Sequence, residues 1–302
     1  MGQNKIGILE LRDDPFIIDV ASKLSEFTVE FPSFAEQQVP VSSEYRVIVD
    51  RLSFLSPFLK EIVKNLSLNG TYVINNPFAA TASNKLLDAK VFELLGIPFP
   101  RSCVLPGPEL LQRELEGVIT KPSWDRIADK VGFPCIFKPI EGYAWDDVYE
   151  VNTLDELKQY HLSAGRGKVW LVQRKINYTH YYRVFCIDKK DVLFIKWIPR
   201  PRGAGEYLYS ELEEIAEIKD KLIQQTIKLN SCLDMDINVV EWCIDEKGQL
   251  WVIDAFNEVP DMPKSRMPPE YYWWIVDRFV ACIKDKFSSG KQNKHFFALP
   301  FI

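Results

Sequence analysis

Two carboxylates stand inside otherwise apolar stretches of the segment Asp236-Ile-Asn-Val-Val-Glu241-Trp-Cys-Ile-Asp-Glu-Lys-Gly248-Gln-Leu-Trp-Val-Ile-Asp254-Ala-Phe-Asn257-Glu-Val-Pro260. Residues 237–244 and 249–255 are rich in β-branched, aromatic and aliphatic side chains, and Asp245-Glu-Lys-Gly248 between them is a polar turn ending in glycine. The pattern predicts a β-hairpin. Ionised carboxylates rarely stay buried unless they are paired or bound to a cation. Glu241 and Asp254 on adjacent strands, with the Asn257 amide just beyond, are therefore candidate metal ligands, and an all-oxygen set suits Mg²⁺. A solvent-facing hairpin with scattered acids accounts for the same residues. Strict alternation puts Asp254 and Asn257 on opposite faces of a strand. Both reach one ion only if the strand ends or bulges near Ala255-Phe256.

At 302 residues, with 47% apolar and 26% charged composition, the chain is long enough for a large core divided into two or three lobes. No run approaches the roughly 18 apolar residues of a membrane span, and Met-Gly-Gln-Asn-Lys-Ile-Gly-Ile-Leu leads into a strand rather than a signal peptide. The expected location is the cytoplasm, with no membrane partner. The six cysteines (103, 135, 186, 232, 243, 282) show no CxxC spacing and read as reduced core residues. A net charge of −5 without a basic block argues against nucleic acid. The three histidines are too dispersed for a zinc site.

Along the chain, strand-like runs at 5–11, 45–49 and 71–74 alternate with helical spacing at 15–24 and 58–66, which implies a small parallel sheet over about the first eighty residues. Ser83-Asn-Lys85 opens a helix that Gly96-Ile-Pro98 terminates. Beyond Phe99 the pattern gives helices at 124–131 and 154–160, strands at 135–139 and 169–173, and a hairpin of 182–187 with 192–198. A loop at 200–205, a long helix at 210–232, the acid-bearing hairpin and an aromatic helix at 271–286 complete the chain. There is no internal repeat and no low-complexity segment.

Three further positions invite chemistry. Lys138 ends the apolar strand Phe133-Pro-Cys-Ile-Phe-Lys138-Pro and precedes a turn containing Gly142, where the backbone can approach a ligand closely. Gln173-Arg-Lys175-Ile176 closes another apolar strand, a place where backbone groups pair with an adenine edge. Arg183 lies mid-strand in Tyr181-Tyr-Arg183-Val-Phe-Cys-Ile187, and a planar guanidinium there needs a carboxylate or phosphate. Taken singly, each has an ordinary reading as a surface lysine, a strand exit and a structural ion pair.

Their order resembles the ATP-grasp superfamily, which includes glutathione synthetase, D-alanine:D-alanine ligase and ribosomal-protein glutamate ligase. The resemblance runs over about residues 70–265. It rests on Asn84-Lys85, Gly96-Ile-Pro-Phe-Pro100, the Lys138 strand, Leu171-Val-Gln173-Arg-Lys175-Ile176, Arg183-Val184, Val240-Glu241-Trp242, and Asp254 followed by Asn257 and Pro260. Two departures stand out. The usual acid-x-Asn is one residue longer here, as Asp254-Ala-Phe-Asn257, and the glycine-rich loop is reduced to Gly142-Tyr-Ala-Trp-Asp-Asp.

The resemblance implies an α+β fold of two ATP-grasp lobes sandwiching ATP, preceded by a small α/β parallel-sheet domain. It implies a first domain at 1–80, a connecting helix at 81–99, a small lobe at 100–172 and a large lobe carrying the metal site at 173–302. It also implies an ATP- and Mg²⁺-dependent (or Mn²⁺-dependent) ligase that joins a small-molecule or peptide carboxylate to an amine or thiol through an acyl phosphate. Lys85, Lys138, Gly142, Gln173, Lys175 and Ile176 would bind ATP. Glu241, Asp254 and Asn257 would hold metal, while Arg183, with Arg200 and Arg202 as lesser candidates, would act on the acceptor carboxylate or acyl phosphate. A hydroxyl kinase and a non-catalytic ATP-binding regulator are compatible with the same nucleotide site, and a homodimer is a candidate assembly.

Overall fold

The computed structural model describes residues 4–39, 41–111, 118–142, 145–200, 205–210 and 212–295. Its first sheet is wholly parallel. Strands β1 (Lys5–Leu9), β2 (Thr28–Glu30), β3 (Tyr45–Asp50) and β4 (Tyr72–Ile74) lie in the order β2-β1-β3-β4. Parallel neighbours need crossovers, and helices α1 (Pro15–Ser22) and α2 (Pro57–Leu68) supply two of them. Both helices, and the short α3 (Pro77–Ala82), start the same way. A side-chain acceptor, Asp14, Ser56 or Asn76, caps a free backbone N–H, and proline follows at the first helical position.

Helix α4 (Lys85–Leu95) leads to the second sheet. Asn84 caps it by accepting from the N–H groups of Leu86 and Leu87, each at 3.0 Å, and Gly96 ends it in the left-handed conformation (φ 66°). Strands β5 (Ser102–Leu105), β6 (Cys135–Pro139), β7 (Tyr149–Val151) and β8 (Trp170–Arg174) form an antiparallel sheet in the order β5-β8-β6-β7, backed by α5 (Trp124–Val131) and α6 (Leu154–Ser163). Alternation divides its two faces. Leu105, Cys135, Phe137, Trp170 and Val172 pack into a core of their own, which leaves Ser102, Lys138, Leu171 and Gln173 on the other face.

The third sheet comprises β9 (Tyr178–Ile187), β10 (Asp191–Ile198), β11 (Glu206–Leu208), β12 (Ile237–Asp245) and β13 (Leu250–Asp254), in the order β11-β10-β9-β12-β13. Helix α7 (Lys219–Cys232) covers one face, through Leu222 and Leu229 against Tyr182, Val184 and Trp242. Helix α8 (Pro269–Ser289) covers the other and also packs on the first sheet, so Ile6, Phe16, Phe185, Ile237 and Tyr272 belong to one continuous core.

The periodicity expectation of a helix over 210–232 is corrected to 219–232. Ser210 is held at the sheet instead, because its Oγ accepts from the Lys196 N–H and donates to the Phe194 carbonyl, each at 2.9 Å.

A buried polar network reinforces the shared core. Asp236, wholly buried, accepts a 2.8 Å hydrogen bond from the Tyr72 hydroxyl and lies 3.3 and 3.4 Å from the Lys189 and Lys286 ammonium groups. Lys286 also pairs with Asp188, and Lys189 with Asp234 at 2.7 Å. Asn75, just past β4, accepts from the N–H groups of Asp236 and Ile237 and donates to the carbonyls of Ile237 and Glu258.

Candidate active site

The acid pair is set by a bulge. Glu241 of β12 lies directly opposite Asp254 of β13, yet the next pair is Trp242 with Val252, which makes Ile253 an extra residue. Regular pairing would place Ile253 opposite Glu241 and turn Asp254 toward the core side with Trp242. The bulge re-aims the aspartate so that both carboxylates share one face. β13 ends at Asp254, so the irregularity expected between Asp254 and Asn257 is a strand end, and the bulge lies earlier, at Ile253.

After the strand end, buried Asn238 holds the chain. Its Nδ2 donates to the Ala255 carbonyl at 2.7 Å and its Oδ1 accepts from the Asn257 N–H at 2.8 Å. Asn257 in turn donates from Nδ2 to the Val239 carbonyl at 2.8 Å. That leaves its Oδ1 with no hydrogen-bond partner among the described residues. Two carboxylates and an uncommitted amide oxygen are a hard-donor set that fits Mg²⁺ or Mn²⁺.

Arg183 stands opposite Glu241 on β9. Its Nε lies 3.7 Å from Glu241 Oε1, is buried, and makes no hydrogen bond. The guanidinium packs over the rings of Trp197 and Tyr207, and its Nη1 donates to the Tyr207 hydroxyl. Tyr181, two residues before Arg183 and hence on the same face, donates to Glu241 Oε2 at 2.6 Å. Burial pushes the Glu241 carboxyl above its ordinary range, and neighbouring Asp254 pushes the same way. A cation at this place would relieve both effects.

Two lysines face the acids. Lys85, the first residue of α4, has its Nζ 3.8 Å from Asp254 Oδ2 and 3.5 Å from the Gly142 carbonyl. The Lys85 N–H donates to the Ile140 carbonyl at 3.2 Å, tying the helix to the end of β6. Lys138 is only 7% exposed, and its ammonium has no ion-pair or hydrogen-bond partner among the described residues. Burial, followed by the like charge of Lys85, pushes it down to about 8.

The remaining predicted positions are more scattered. Gln173 is buried and donates to Ser102 Oγ at 3.3 Å. Lys175 turns outward to Glu150 at 2.7 Å, while its N–H donates to the Pro134 carbonyl at 3.2 Å. Ile176 packs against the shared core. Arg200 pairs with Glu206 at 2.6 Å on the exposed surface, with no described contact to Glu241 or Asp254. Arg202, Tyr143 and Ala144 lie outside the described residues.

Sequence reasoning missed Tyr181 and Asp88. Strand alternation from Arg183 would have found Tyr181. Asp88 lies one helical turn after Lys85 and is 2% exposed, with burial and then Asp254 pushing its carboxyl up to about 7. Lys85, Asp88, Lys138, Gln173 and Asp254 line one narrow cleft of about 10 Å³ between α4, the second sheet and β13.

Three sheets arranged in this way, with the cleft between the second and third, define the ATP-grasp fold. Two solved structures share it over nearly the whole chain. A D-alanine–D-alanine ligase from Bacillus anthracis, complexed with ATP, superposes with a TM-score of 0.66 at 15% identity, covering 94% of this chain and 97% of that one. The ATP-grasp ligase PsnB, complexed with a phosphomimetic variant of its minimal precursor, Mg and ADP, gives 0.64 at 16% identity, covering 94% and 100%. In sequence, a D-alanine–D-alanine ligase of Francisella philomiragia is 24% identical over 211 residues, covering 60% of this chain and 68% of the relative. No family model matches the chain.

Proposed function

We propose that this protein is an ATP- and Mg²⁺-dependent ligase that joins a carboxylate to an amine, releasing ADP and phosphate. The observation that carries the reading is Lys138, a buried side chain whose ammonium has no ion-pair or hydrogen-bond partner among the described residues, lining a cleft with Lys85 and Asp254, the latter paired across the sheet with Glu241. Cations beside paired acids are what a metal-bound triphosphate requires, since its anionic oxygens meet the lysines and its metal meets the carboxylates. The names of the proteins that share the fold, ligases solved with ATP or with Mg and ADP, point the same way.

In this reading Lys85 and Lys138 hold the phosphates, and Glu241, Asp254 and Asn257 hold Mg²⁺, which supplies neutralisation of charge on the transferring group. Arg183 binds the acceptor carboxylate and then the acyl phosphate, its planar guanidinium oriented by Trp197 and Tyr207. The carboxylate attacks the γ-phosphate, ADP leaves, and the amine displaces phosphate from the acyl carbon. The acceptor is a small molecule or a peptide, the latter in line with the precursor bound by PsnB. The first domain takes in 1–80, the connecting helix 81–99, the small lobe 100–172 and the large lobe 173–302, and the protein works in the cytoplasm. No helix among the described residues is long and apolar enough to cross a membrane.

Trapping tests the reaction class. With pools of amino acids, short peptides and other carboxylates, Mg²⁺-ATP and hydroxylamine, the wild type is expected to accumulate hydroxamate together with ADP and phosphate. A hydroxylamine-stable phosphorylated product formed without inorganic phosphate would make the protein a kinase instead.

A further inference from the structure

The Arg183 guanidinium is buried, so its direction is set by what packs around it. Trp197 and Tyr207 stand opposite one another on β10 and β11 with ring centroids 4.5 Å apart, and the guanidinium carbon lies 5.1 and 5.5 Å from those centroids. The Tyr207 hydroxyl accepts from Arg183 Nη1 and donates to the Asp261 carbonyl at 3.0 Å. A hydroxyl committed as acceptor on one side and donor on the other holds both partners in place.

Gly205 fixes the second ring. A Cβ built on it would lie 2.0 Å from Cζ2 and Cη2 of Trp197, far inside van der Waals contact. The indole has little room to yield, since it is 7% exposed and backed by Tyr207. Only glycine lets the backbone come so close. The Gly205 carbonyl in turn accepts from Arg266 Nη1 at 3.5 Å, and Arg266 Nη2 pairs with Asp261 at 3.0 Å. Arg183, Tyr207, Asp261, Arg266, Gly205 and Trp197 thus close a circuit of contacts around the guanidinium. The Arg266–Asp261 pair is exposed and contributes little by itself, so the hold rests on the Tyr207 hydroxyl and on the contact of Gly205 with Trp197.

We propose that Gly205 and Tyr207 are positioning residues of the ligase reaction. Through the indole of Trp197 and the shared hydroxyl they set the direction in which Arg183 presents its charge to the acceptor carboxylate and the acyl phosphate. The inference rests on the role proposed above for Arg183. With Nη1 committed to Tyr207 and Nε turned toward Glu241, the arginine has one orientation beside the acid pair. Displacing a preorganised charge from the reacting group lowers the rate of the chemical step, whereas the nucleotide itself is held elsewhere, by Lys85 and Lys138.

Two measurements on the full chain separate the clasp from the reaction. Arg183 Nε is buried and makes no hydrogen bond, so its N–H, identified in side-chain NMR spectra by its loss in Arg183→Lys, should exchange slowly with D₂O. In Gly205→Ala, and in Tyr207→Phe, which keeps the ring, exchange should quicken about tenfold or more as the packing loosens. Adding Trp197→Phe to Gly205→Ala removes the ring atoms that the methyl would meet and should return exchange toward the wild-type rate. The maximal rate of hydroxamate formation from the carboxylate pool should follow the same order, about tenfold down in each single variant and recovered in the double variant, with ATP affinity within about twofold of wild type throughout. Exchange unchanged in the variants that fold overturns the clasp. Exchange that quickens while the maximal rate holds overturns its part in the reaction. A wild type that turns over no ATP with any carboxylate overturns the ATP-dependent function, and the exchange rates still decide whether Gly205 and Tyr207 hold Arg183.

Discussion

At the residue scale the site is a set of charges that the protein does not fully pair with one another. Glu241→Gln keeps the shape but removes charge that a cation needs, so ADP release in the presence of acceptor should fall at least about a hundredfold while the circular dichroism spectrum is unchanged. Equal turnover in the two proteins would remove Glu241 from the metal site. Lys138→Ala should weaken ATP binding by about 1.5–3 kcal/mol, the worth of a charged hydrogen bond, as read by calorimetry. The wild type carries a pH signature of the same lysine. Its value near 8 in the free protein means the ammonium is charged below that pH and neutral above it, so ATP affinity should decline as pH rises from about 7 to 9. A flat profile there would mean that Lys138 makes no charged contact with the nucleotide. The acids and lysines were legible in the sequence because charge inside an apolar strand is conspicuous. Asp88 was not, because an acid inside an amphipathic helix ordinarily faces water and only the packing of α4 shows that this one does not.

Elements turn those residues into a site, and the bulge in β13 shows how. Alternation puts Asp254 and Asn257 on opposite faces of a strand, so something irregular must lie near them if both are to reach one ion. What periodicity does not say is where. The structure ends β13 at Asp254, adds a bulge at Ile253 that turns the aspartate toward Glu241, and holds the exit with Asn238. Asn238→Ala should strand the Ala255 carbonyl and the Asn257 N–H, at about 1–3 kcal/mol each, and loosen Asn257. Chemical denaturation should show the loss of stability, and turnover should fall with it. An alanine variant as stable and active as the wild type would show that the exit is held otherwise. The same division between existence and placement applies to the helix before β12. Its apolar spacing was readable, but its start was not, because the long-range bonds of Ser210 to β10 compete with helix formation and win.

Over the whole molecule, the first sheet and the third share a core and an ionic lock. Lys286→Ala would leave Asp188 and Asp236 buried without their common partner, a loss of about 3–5 kcal/mol. That should lower the unfolding temperature by on the order of ten degrees, measured by scanning calorimetry; a drop of only one or two degrees would mean that Lys189 suffices. The pH dependence follows from signs. Burial raises Asp188 and Asp234, but bonds from Lys190 and Lys286 to the first, and from Lys189 to the second, outweigh it and hold both carboxyls below their ordinary value. Their contribution is therefore present above about pH 4 and is lost as pH falls through the lower folded values. Asp88 and Glu258, both pushed up to about 7 mainly by burial, act oppositely and weaken the fold as pH rises from about 4 to 7. The unfolding temperature should thus be higher at pH 5 than at pH 8 and should collapse below pH 4. None of this network was foreseen, because its parts, at 72, 188–190, 234–236 and 286, lie far apart in sequence and no local pattern joins them. The second sheet stands outside this lock, with its own core of Phe137, Trp170 and their neighbours. In deuterium exchange its amides should therefore open as a separate unit, ahead of those of β9 and β12. Nucleotide, by touching both sides of the cleft, should slow that opening and make the two units exchange at more nearly one rate.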